Sequence, residues 1–176
     1  ADFVACHNQA YVYQYDMLKV LKKGGTFLLN CLWSPEELDR KLPAAMKRYI
    51  AEKNIRLYTI DATSIAEEVG LGNRINMVMQ SAFFALAKVI PLEDAISYLK
   101  EAVEDSYGKE GGKIVDMNNA AIDRGATGFT EVAVPESWAT VVAEDEKQLE
   151  APEFIEQVLV PMNRQEGESL PVSTFV

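Results

Sequence analysis

The first third of the chain alternates between short apolar runs and stretches with helical spacing. The runs 2–6, 26–32 and 55–60 contain few polar positions, which is typical of strands that are covered on both faces. Between them, residues 11–23 and 36–53 carry apolar residues at helical spacing. This order predicts a βαβαβ unit, and therefore an α/β fold with a parallel, doubly wound (Rossmann-like) sheet in three layers.

Capping residues mark the ends of several predicted helices. Ser34, followed by Pro and then by Glu37, is typical of an N-terminal capping box. Pro43 is expected to end this helix, after which a second helix resumes. Gly24 follows two lysines and predicts a left-handed cap at the end of helix 11–23.

The middle of the chain, residues 63–124, is patterned almost entirely as helix. Beyond a first short helix, the pattern predicts helices over 74–88, 91–107 and 113–124, the last of them closed by Gly125. Helix 74–88 is apolar nearly all round, so we expect it to be central and buried.

The character of the sequence changes after residue 135, where prolines punctuate an acidic stretch. We expect residues 1–135 to form the α/β domain and 136–176 to form an irregular arm with one short helix near 152–158. The chain opens without Met and ends on apolar residues. We therefore expect a piece of a larger protein, without a complete active site.

Charge and apolar content exclude several classes of function. A formal net charge of −10 argues against nucleic-acid binding, which requires Lys and Arg to neutralise phosphates; it suits solubility or docking to a basic surface. The longest apolar stretch, 77–90, is interrupted by Gln80, Ser81 and Lys88, so it is too short and too polar to span a membrane.

The cysteines and the single histidine give no metal-binding pattern. Cys6 and Cys31 both lie in apolar, strand-like runs, so we expect buried free thiols in a reducing cytoplasm. One His and the absence of CxxC spacing provide no ligand set for zinc or for an iron–sulfur cluster.

The best candidate for ligand binding is the turn Gly70-x-Gly72 with Arg74 behind it. A helix N-terminus follows, where free N–H groups and the helix dipole favour an anion. The dinucleotide fingerprint needs a preceding strand and a third glycine, whereas here a helix precedes the turn and Asn76 follows it. Alternatively, the glycines only allow a sharp turn, and Arg74 pairs with Glu67 or Glu68.

A second group of polar residues lies where the predicted strands end. His7, Asn8 and Gln9 follow the first strand, Asn30 lies at the end of the second, and Asp61 follows the third. Open α/β sheets bind ligands at this edge. The alternative is structural: Asn8 and Asp61 cap the helices that follow them, and His7 is a satisfied edge residue.

Four long runs make up most of the sequence: ADFVACHNQAYVYQYDMLKVLKKGGTFLLNCLWS, EEVGLGNRINMVMQSAFFALAKVIP, KIVDMNNAAIDRGATGFTEVAVPESW and PEFIEQVLVPMNRQEGESLPVSTFV. The first three resemble the third (gamma-type) domain of pyruvate:ferredoxin/flavodoxin oxidoreductase. The last resembles the connector toward the iron–sulfur domain of that family.

The resemblance implies part of a large anaerobic, cytoplasmic enzyme that oxidatively decarboxylates pyruvate to acetyl-CoA and CO2. It implies thiamine diphosphate, Mg²⁺ and iron–sulfur clusters in other domains, with coenzyme A as substrate and ferredoxin or flavodoxin as electron acceptor. The implied partners are other domains of the same polypeptide and a second copy in a homodimer, without nucleic acid or membrane. This segment itself is expected to hold none of those cofactors.

The resemblance also implies where this segment starts and what it contributes. In the family the domain begins with a glycine-rich loop, GLGxDGTVGANK, which this sequence lacks, so we expect it to begin partway through the domain. The isolated piece should be inactive and should self-associate through its open sheet edge. Asn73, Arg74 and Asn76 are the residues expected to contact coenzyme A, through its pyrophosphate.

Two other hypotheses compete with this one. The segment could be a purely structural module that holds domains and subunits together; substitution of Phe83 or Phe84 would then lower assembly or stability. A separate nucleotide-binding subunit is disfavoured, because the glycine fingerprint is wrong.

Overall fold

The structure is a computed structural model that describes residues 1–142. Contacts group these residues into two compact units. Unit 1 contains residues 1–59 and 131–142, and unit 2 contains residues 60–130. Within the described residues no helix is long and apolar enough to cross a membrane.

Four short strands form one sheet in the order β1-β2-β3-β4: Phe3–Cys6, Thr26–Asn30, Arg56–Ile60 and Phe129–Val132. Strands β1 and β2 pair in parallel, with Phe3 opposite Thr26 and Cys6 opposite Leu29. Phe27, Leu28 and Leu29 are fully buried, as their continuous apolar run predicts. The predicted α/β class and its parallel β1–β2 pair are confirmed.

Strand β4 was missed by the sequence patterns and makes the sheet mixed. Ile55–Leu57, at the start of β3, lines a cleft together with 131–134, at the end of β4. Asp61, just after β3, lines another with Thr127 and Gly128, just before β4. The start of β3 thus lies beside the end of β4, and the end of β3 lies beside the start of β4, so the two strands are antiparallel. Antiparallel strands commonly join otherwise parallel sheets at an edge. From one edge of the sheet to the other, the strands follow one another in chain order from β1 to β4. The described strands therefore do not contain the point at which the strand order reverses in a doubly wound sheet.

The single helix predicted over 11–23 is wrong, because two 3₁₀ helices take its place, Gln9–Tyr13 and Met17–Val20. Asp16 interrupts them with φ −90° and ψ 73°, outside the helical region. Gly24 does have the predicted left-handed conformation (φ +80°). Its N–H, however, donates to the carbonyl of Lys53 (2.7 Å), so it serves the turn into β2 rather than a helix end.

The next two helices, α1 (Pro35–Lys41) and α2 (Ala44–Glu52), begin and end as the sequence predicts. The capping box is complete: the Glu37 N–H donates to Ser34 Oγ (3.2 Å), and the Ser34 N–H donates to Glu37 Oε1 (2.9 Å). Pro43 separates the helices because it has no N–H to continue α1.

Unit 1 is built around one apolar core formed by residues of all its elements. The core is made up of Cys6, Val12, Leu18, Leu21, Phe27, Leu29, Cys31, Leu38, Leu42, Met46, Ile50, Ile55, Leu57 and Trp138. Trp138 comes from a 3₁₀ helix, Glu136–Thr140, within the predicted arm. The rest of that arm, with its predicted helix near 152–158, lies outside the described residues.

Unit 2 is helical: α3 (Ala62–Val69), α4 (Asn76–Ala87), α5 (Leu92–Tyr107) and α6 (Gly112–Gly125). These bounds agree with the predicted helices to within two residues. The expectation that α4 is buried all round is only partly met. One stripe of α4 is buried (Val78, Met79, Ser81 and Ala82), and the remaining apolar positions, Phe83 and Phe84 among them, are half-buried.

Gly125 has a different role from the helix cap that was predicted. It is the last residue of α6, where α6 packs against α4. A Cβ at this position would lie 2.5 Å from the carbonyl oxygen of Val78 and 3.0 Å from its Cα. Glycine is needed here for the close approach of two helices, not for a left-handed conformation.

Candidate functional site

The turn between α3 and α4 is shaped by its two glycines. Gly70 ends α3 in the left-handed conformation (φ +102°), and its N–H donates back to the last turn of the helix. Gly72 is also left-handed (φ +66°). Leu71, which lies between the two glycines, is buried and so holds the turn against the rest of unit 2. L-residues with side chains rarely adopt these angles, so the turn depends on both glycines.

This turn presents the three predicted ligand residues, Asn73, Arg74 and Asn76, at the surface, where all three are exposed. Helix α4 begins at Asn76, and its N-cap, Ile75, offers no side-chain acceptor to the first N–H groups. Those groups are therefore available to an outside acceptor. The structure thus places a cation and an uncapped helix N-terminus next to each other, as an anion site requires.

The alternative hypothesis was that Arg74 pairs with Glu67 or Glu68, and the contacts of Glu68 and Arg74 bear on it. Glu68 forms its ion pair with Arg124 on α6, at 2.6 Å. The Arg74 Nε donates to the carbonyl of Leu71 at 3.3 Å. This long hydrogen bond orients the guanidinium at the turn without neutralising its charge.

Polar residues at the carboxyl ends of β1 and β2 tie two loops together. The buried Asn30 side-chain amide donates to the His7 carbonyl (2.9 Å), and the Leu32 N–H donates to Gln9 Oε1 (3.2 Å). The Ala10 N–H donates to Asn8 Oδ1 (2.9 Å). The predicted cap by Asn8 is present, although the helix it begins is 3₁₀. The amides of this edge hold backbone groups in place.

His7 lies in the same loop and is partly buried. Burial lowers the pKa of its imidazole below the ordinary value of 6.5, because a charged ring is poorly solvated there. The ring is therefore neutral at neutral pH, with one nitrogen as donor and the other as acceptor.

Asp61 acts as a helix cap, as one of the two alternatives proposed. Its Oδ1 accepts a hydrogen bond from the Ser64 N–H at 3.0 Å, which satisfies a free donor at the start of α3. Asp61 also lines a polar surface cleft with Glu68 and Arg124. The ion pair across that cleft leaves little net charge to attract a ligand.

Both cysteines are buried thiols that form no disulfide, as predicted. Among residues 1–142, no group of three or more His, Cys, Asp or Glu side chains could hold a metal ion. The thiols of Cys6 and Cys31 lie in the apolar core of unit 1, and two thiols are fewer than the four thiolates that hold a typical iron–sulfur cluster.

Two features of the surface and core had no counterpart in the sequence patterns. The Trp138 Nε1–H donates to Asp39 Oδ1 at 2.7 Å, across a separation of 99 residues. At the corner between α4 and α5, Val89 is 64% exposed, next to the exposed Ile90 and Leu92. The run of apolar residues around Pro91 could have indicated this corner, whereas no local signal predicts the Trp138 contact.

Comparison with solved structures supports the fold. The chain is similar to pyruvate oxidoreductase subunit PORC from Thermotoga maritima, with a TM-score of 0.59 and 20% sequence identity. The similarity covers 75% of this chain and 65% of that subunit. At this identity the likeness concerns the fold alone.

Sequence relatives are much closer. The chain is 53% identical over 175 residues to a pyruvate-flavodoxin oxidoreductase from Enterobacter agglomerans, and 52% identical over 176 residues to a pyruvate:ferredoxin oxidoreductase from Moorella thermoacetica. These matches cover 99% of this chain, which spans about 15% of the length of each relative.

Family models divide the sequence into two segments. Residues 142–176 match a domain of unknown function, EKR. Residues 1–128 match the model described as pyruvate ferredoxin/flavodoxin oxidoreductase. The chain belongs to the pyruvate ferredoxin/flavodoxin oxidoreductase family.

Proposed function

We propose that this chain is a segment of an enzyme that oxidatively decarboxylates pyruvate to acetyl-CoA and CO2 and passes the electrons to ferredoxin or flavodoxin. The observation that carries the proposal is the identity of 53% over 99% of the chain to a pyruvate-flavodoxin oxidoreductase. The matched region extends through both units and includes the turn with Arg74.

The other attributes of the enzyme follow from the same proposal. It is cytoplasmic and homodimeric, and it uses thiamine diphosphate, Mg²⁺ and iron–sulfur clusters. The side chains of residues 1–142 do not fit a cluster or a metal ion, since their two thiols are buried in the core and no three His, Cys, Asp or Glu side chains there are grouped to hold a metal. We assign these cofactors to other parts of the polypeptide, and we expect the isolated segment to be inactive.

Within that enzyme, we propose that the α3–α4 turn contributes part of the coenzyme A surface. Arg74 and the free N–H groups at the start of α4 suit a pyrophosphate, which binds Arg through paired, charge-assisted hydrogen bonds. Asn73 and Asn76 flank the same position with amide groups that donate to phosphate or accept from hydroxyl. All of these groups reach solvent, so coenzyme A could approach without any rearrangement of the helices.

The enzyme activity is tested with the full-length protein that contains this segment. Pyruvate and coenzyme A together should support reduction of a low-potential acceptor such as methyl viologen, with acetyl-CoA formed in proportion. Omission of coenzyme A should abolish acetyl-CoA formation. Reduction of the acceptor with an unrelated 2-oxoacid, together with no reduction with pyruvate, would contradict the assignment.

A second candidate is a structural module that joins domains, and the exposed α4–α5 corner favours it. Val89, Ile90 and Leu92 form a run of apolar side chains at the surface of unit 2, and such runs mark contact surfaces. Phe83 and Phe84 lie nearby in sequence, with their rings in a T-shaped contact at 5.2 Å.

The two candidates predict different outcomes for matched variants of the full-length protein. If the segment only joins domains, Val89→Ser and Ile90→Ser lower assembly, measured by light scattering, and Arg74→Ala leaves the affinity for coenzyme A unchanged. If the segment contributes to the coenzyme A surface, Arg74→Ala weakens that affinity and does not alter the mass of the assembly.

A further inference from the structure

After β4 the chain does not leave unit 1 but returns to its core. The 3₁₀ helix Glu136–Thr140 packs against α2. Its Trp138 is only 1% exposed and belongs to the same apolar core as residues of β1, β2 and α2. Burial of an indole of this size holds the segment firmly, because it removes a large apolar area from water.

The indole N–H of Trp138, Asp39 and the Lys47 ammonium form a connected set of polar contacts. The Trp138 Nε1–H donates to Asp39 Oδ1 at 2.7 Å, and Lys47 Nζ donates to the Asp39 carbonyl at 2.7 Å. The Lys47 ammonium also lies 3.9 Å from the Asp39 carboxylate and 6.0 Å from the centre of the indole ring. Lys47 is itself buried, with 8% of its surface exposed, and a buried cation needs such partners.

A second contact lies three residues further along the chain. Arg48, next to Lys47 on α2, donates from Nη1 to the carbonyl of Val141 at 2.8 Å. The following residue, Val142, is 86% exposed. Two contacts in succession fix both the position and the direction of the backbone where it reaches the surface.

We propose that Asp39, Lys47 and Arg48 form an anchor that fixes the backbone of unit 1 up to residue 142, where the second family segment begins. The first family segment ends at residue 128 and the second begins at residue 142. A free connector of this length would let two segments move independently. Here the connecting residues are instead held on α1 and α2, so the segment that begins at residue 142 starts from a defined place.

Asp39 is the positioning residue on which the anchor depends, because it receives both the indole and the ammonium. It lies on the surface of α1, outside the apolar core. Substitution of Asp39 by Ala removes the acceptor of the indole N–H and the carboxylate near Lys47 without leaving a cavity, whereas the main-chain carbonyl that accepts from Lys47 remains. This substitution therefore separates anchoring from core packing.

The anchor is tested by hydrogen exchange, measured by mass spectrometry on the full-length protein that contains this segment. Trp138→Phe keeps an aromatic ring and removes the N–H donor, and Asp39→Ala removes the acceptor. A charge-assisted hydrogen bond of this kind corresponds to roughly 10- to 100-fold in an opening equilibrium. Each variant should therefore accelerate exchange in peptides covering 136–142 by about tenfold or more, while exchange in β2 and α2 stays unchanged.

Two further variants complete the comparison. Asp39→Asn keeps an acceptor oxygen and should fall between wild type and Asp39→Ala, and Glu36→Ala, at an exposed site on the same helix, should match wild type. Unchanged exchange over 136–142 in both Asp39→Ala and Trp138→Phe would overturn the proposal. Equal acceleration throughout unit 1 would also overturn it, because Trp138 would then act only as a core residue.

Discussion

The Ser81 hydroxyl on α4 donates a hydrogen bond to the carbonyl oxygen of Ile122 on α6, at an Oγ–O distance of 2.5 Å. Both residues are fully buried. The bond lies beside Gly125, where the absence of a side chain lets the backbones of α4 and α6 approach. A buried polar group needs its partner, so this bond depends on the close approach that the glycine allows.

Gly125→Ala should therefore destabilise unit 2. The added Cβ would lie 2.5 Å from the Val78 carbonyl oxygen, and forcing extra volume into a packed contact costs about 1–3 kcal/mol. Alanine's better helix propensity offsets only about 0.5–1 kcal/mol of this cost. Urea denaturation followed by circular dichroism measures the difference.

Gly112→Ala provides the matched control for this prediction. Gly112 is the first residue of the same helix, and a Cβ there meets no atom within 4 Å. The Gly112 variant should be as stable as wild type or slightly more stable. If both glycine variants behave alike, close packing at Gly125 is not the cause.

The capping box of α1 predicts a pH-dependent contribution to stability. The hydrogen bond from the Ser34 backbone N–H is the main reason that the Glu37 pKa lies below its ordinary value of 4.5. A pKa that is lower in the folded than in the unfolded state gives stability above the unfolded value, and this stability is lost as the pH falls through the folded value. Acidification below pH 4.5 should therefore weaken this cap.

Two substitutions of Ser34 test this mechanism by NMR titration of Glu37. Ser34→Ala removes the side-chain half of the box, so the Glu37 pKa should move toward 4.5 and the start of α1 should fray. Ser34→Thr keeps the hydroxyl oxygen and should leave the titration close to that of wild type. A Glu37 pKa at or above 4.5 in the wild-type protein would show that the box does not form in solution.

His7 predicts a second pH dependence, at higher pH. Because burial lowers the pKa of its imidazole in the folded protein, the unfolded chain binds a proton more readily than the folded chain. Stability should then be complete above the unfolded pKa of about 6.5 and should decrease as the pH falls below it, until the folded pKa is passed.

His7 is the only histidine in the sequence, so one imidazole resonance reports the folded pKa directly. The slope of unfolding free energy between pH 7 and pH 5.5 should be smaller in a His7→Gln variant, which cannot be protonated. A folded pKa at or above 6.5 by NMR would contradict the assigned burial.

Local features of the sequence predicted the fold well wherever short-range contacts decide the structure. The capping box at Ser34, the break at Pro43 and the sharp turn at Gly70 each involve residues within one helical turn. Such contacts form from local propensity and hydrogen bonding, which the residue types reveal.

The features that were missed depend on distant contacts. Strand β4 is short and mostly exposed, with the burial of Phe129 and Val132 only partial, so its apolar pattern is weak. The bond from Trp138 to Asp39 joins residues 99 positions apart. Residues 11–23 have helical spacing and yet form two 3₁₀ helices, which are separated at Asp16, where the backbone lies outside the helical region.

The sequence predicted which residues form the candidate site but not the contacts that they make. The glycine turn, Arg74 and the helix start are all where the sequence indicated. The start of α4 at Asn76, which makes Ile75 the N-cap, required the structure. The pairing of Glu68 with Arg124 also required it, because this contact depends on how α3 packs against α6.

The most direct test of the proposed role is calorimetric titration of coenzyme A into the full-length protein that contains this segment. Loss of a charge-assisted contact to pyrophosphate in Arg74→Ala should weaken binding by roughly 10- to 100-fold. Lys113→Ala removes a cation at an exposed site in the same unit and should leave the affinity unchanged. An Arg74→Ala protein that binds coenzyme A as tightly as wild type would contradict the proposed coenzyme A surface.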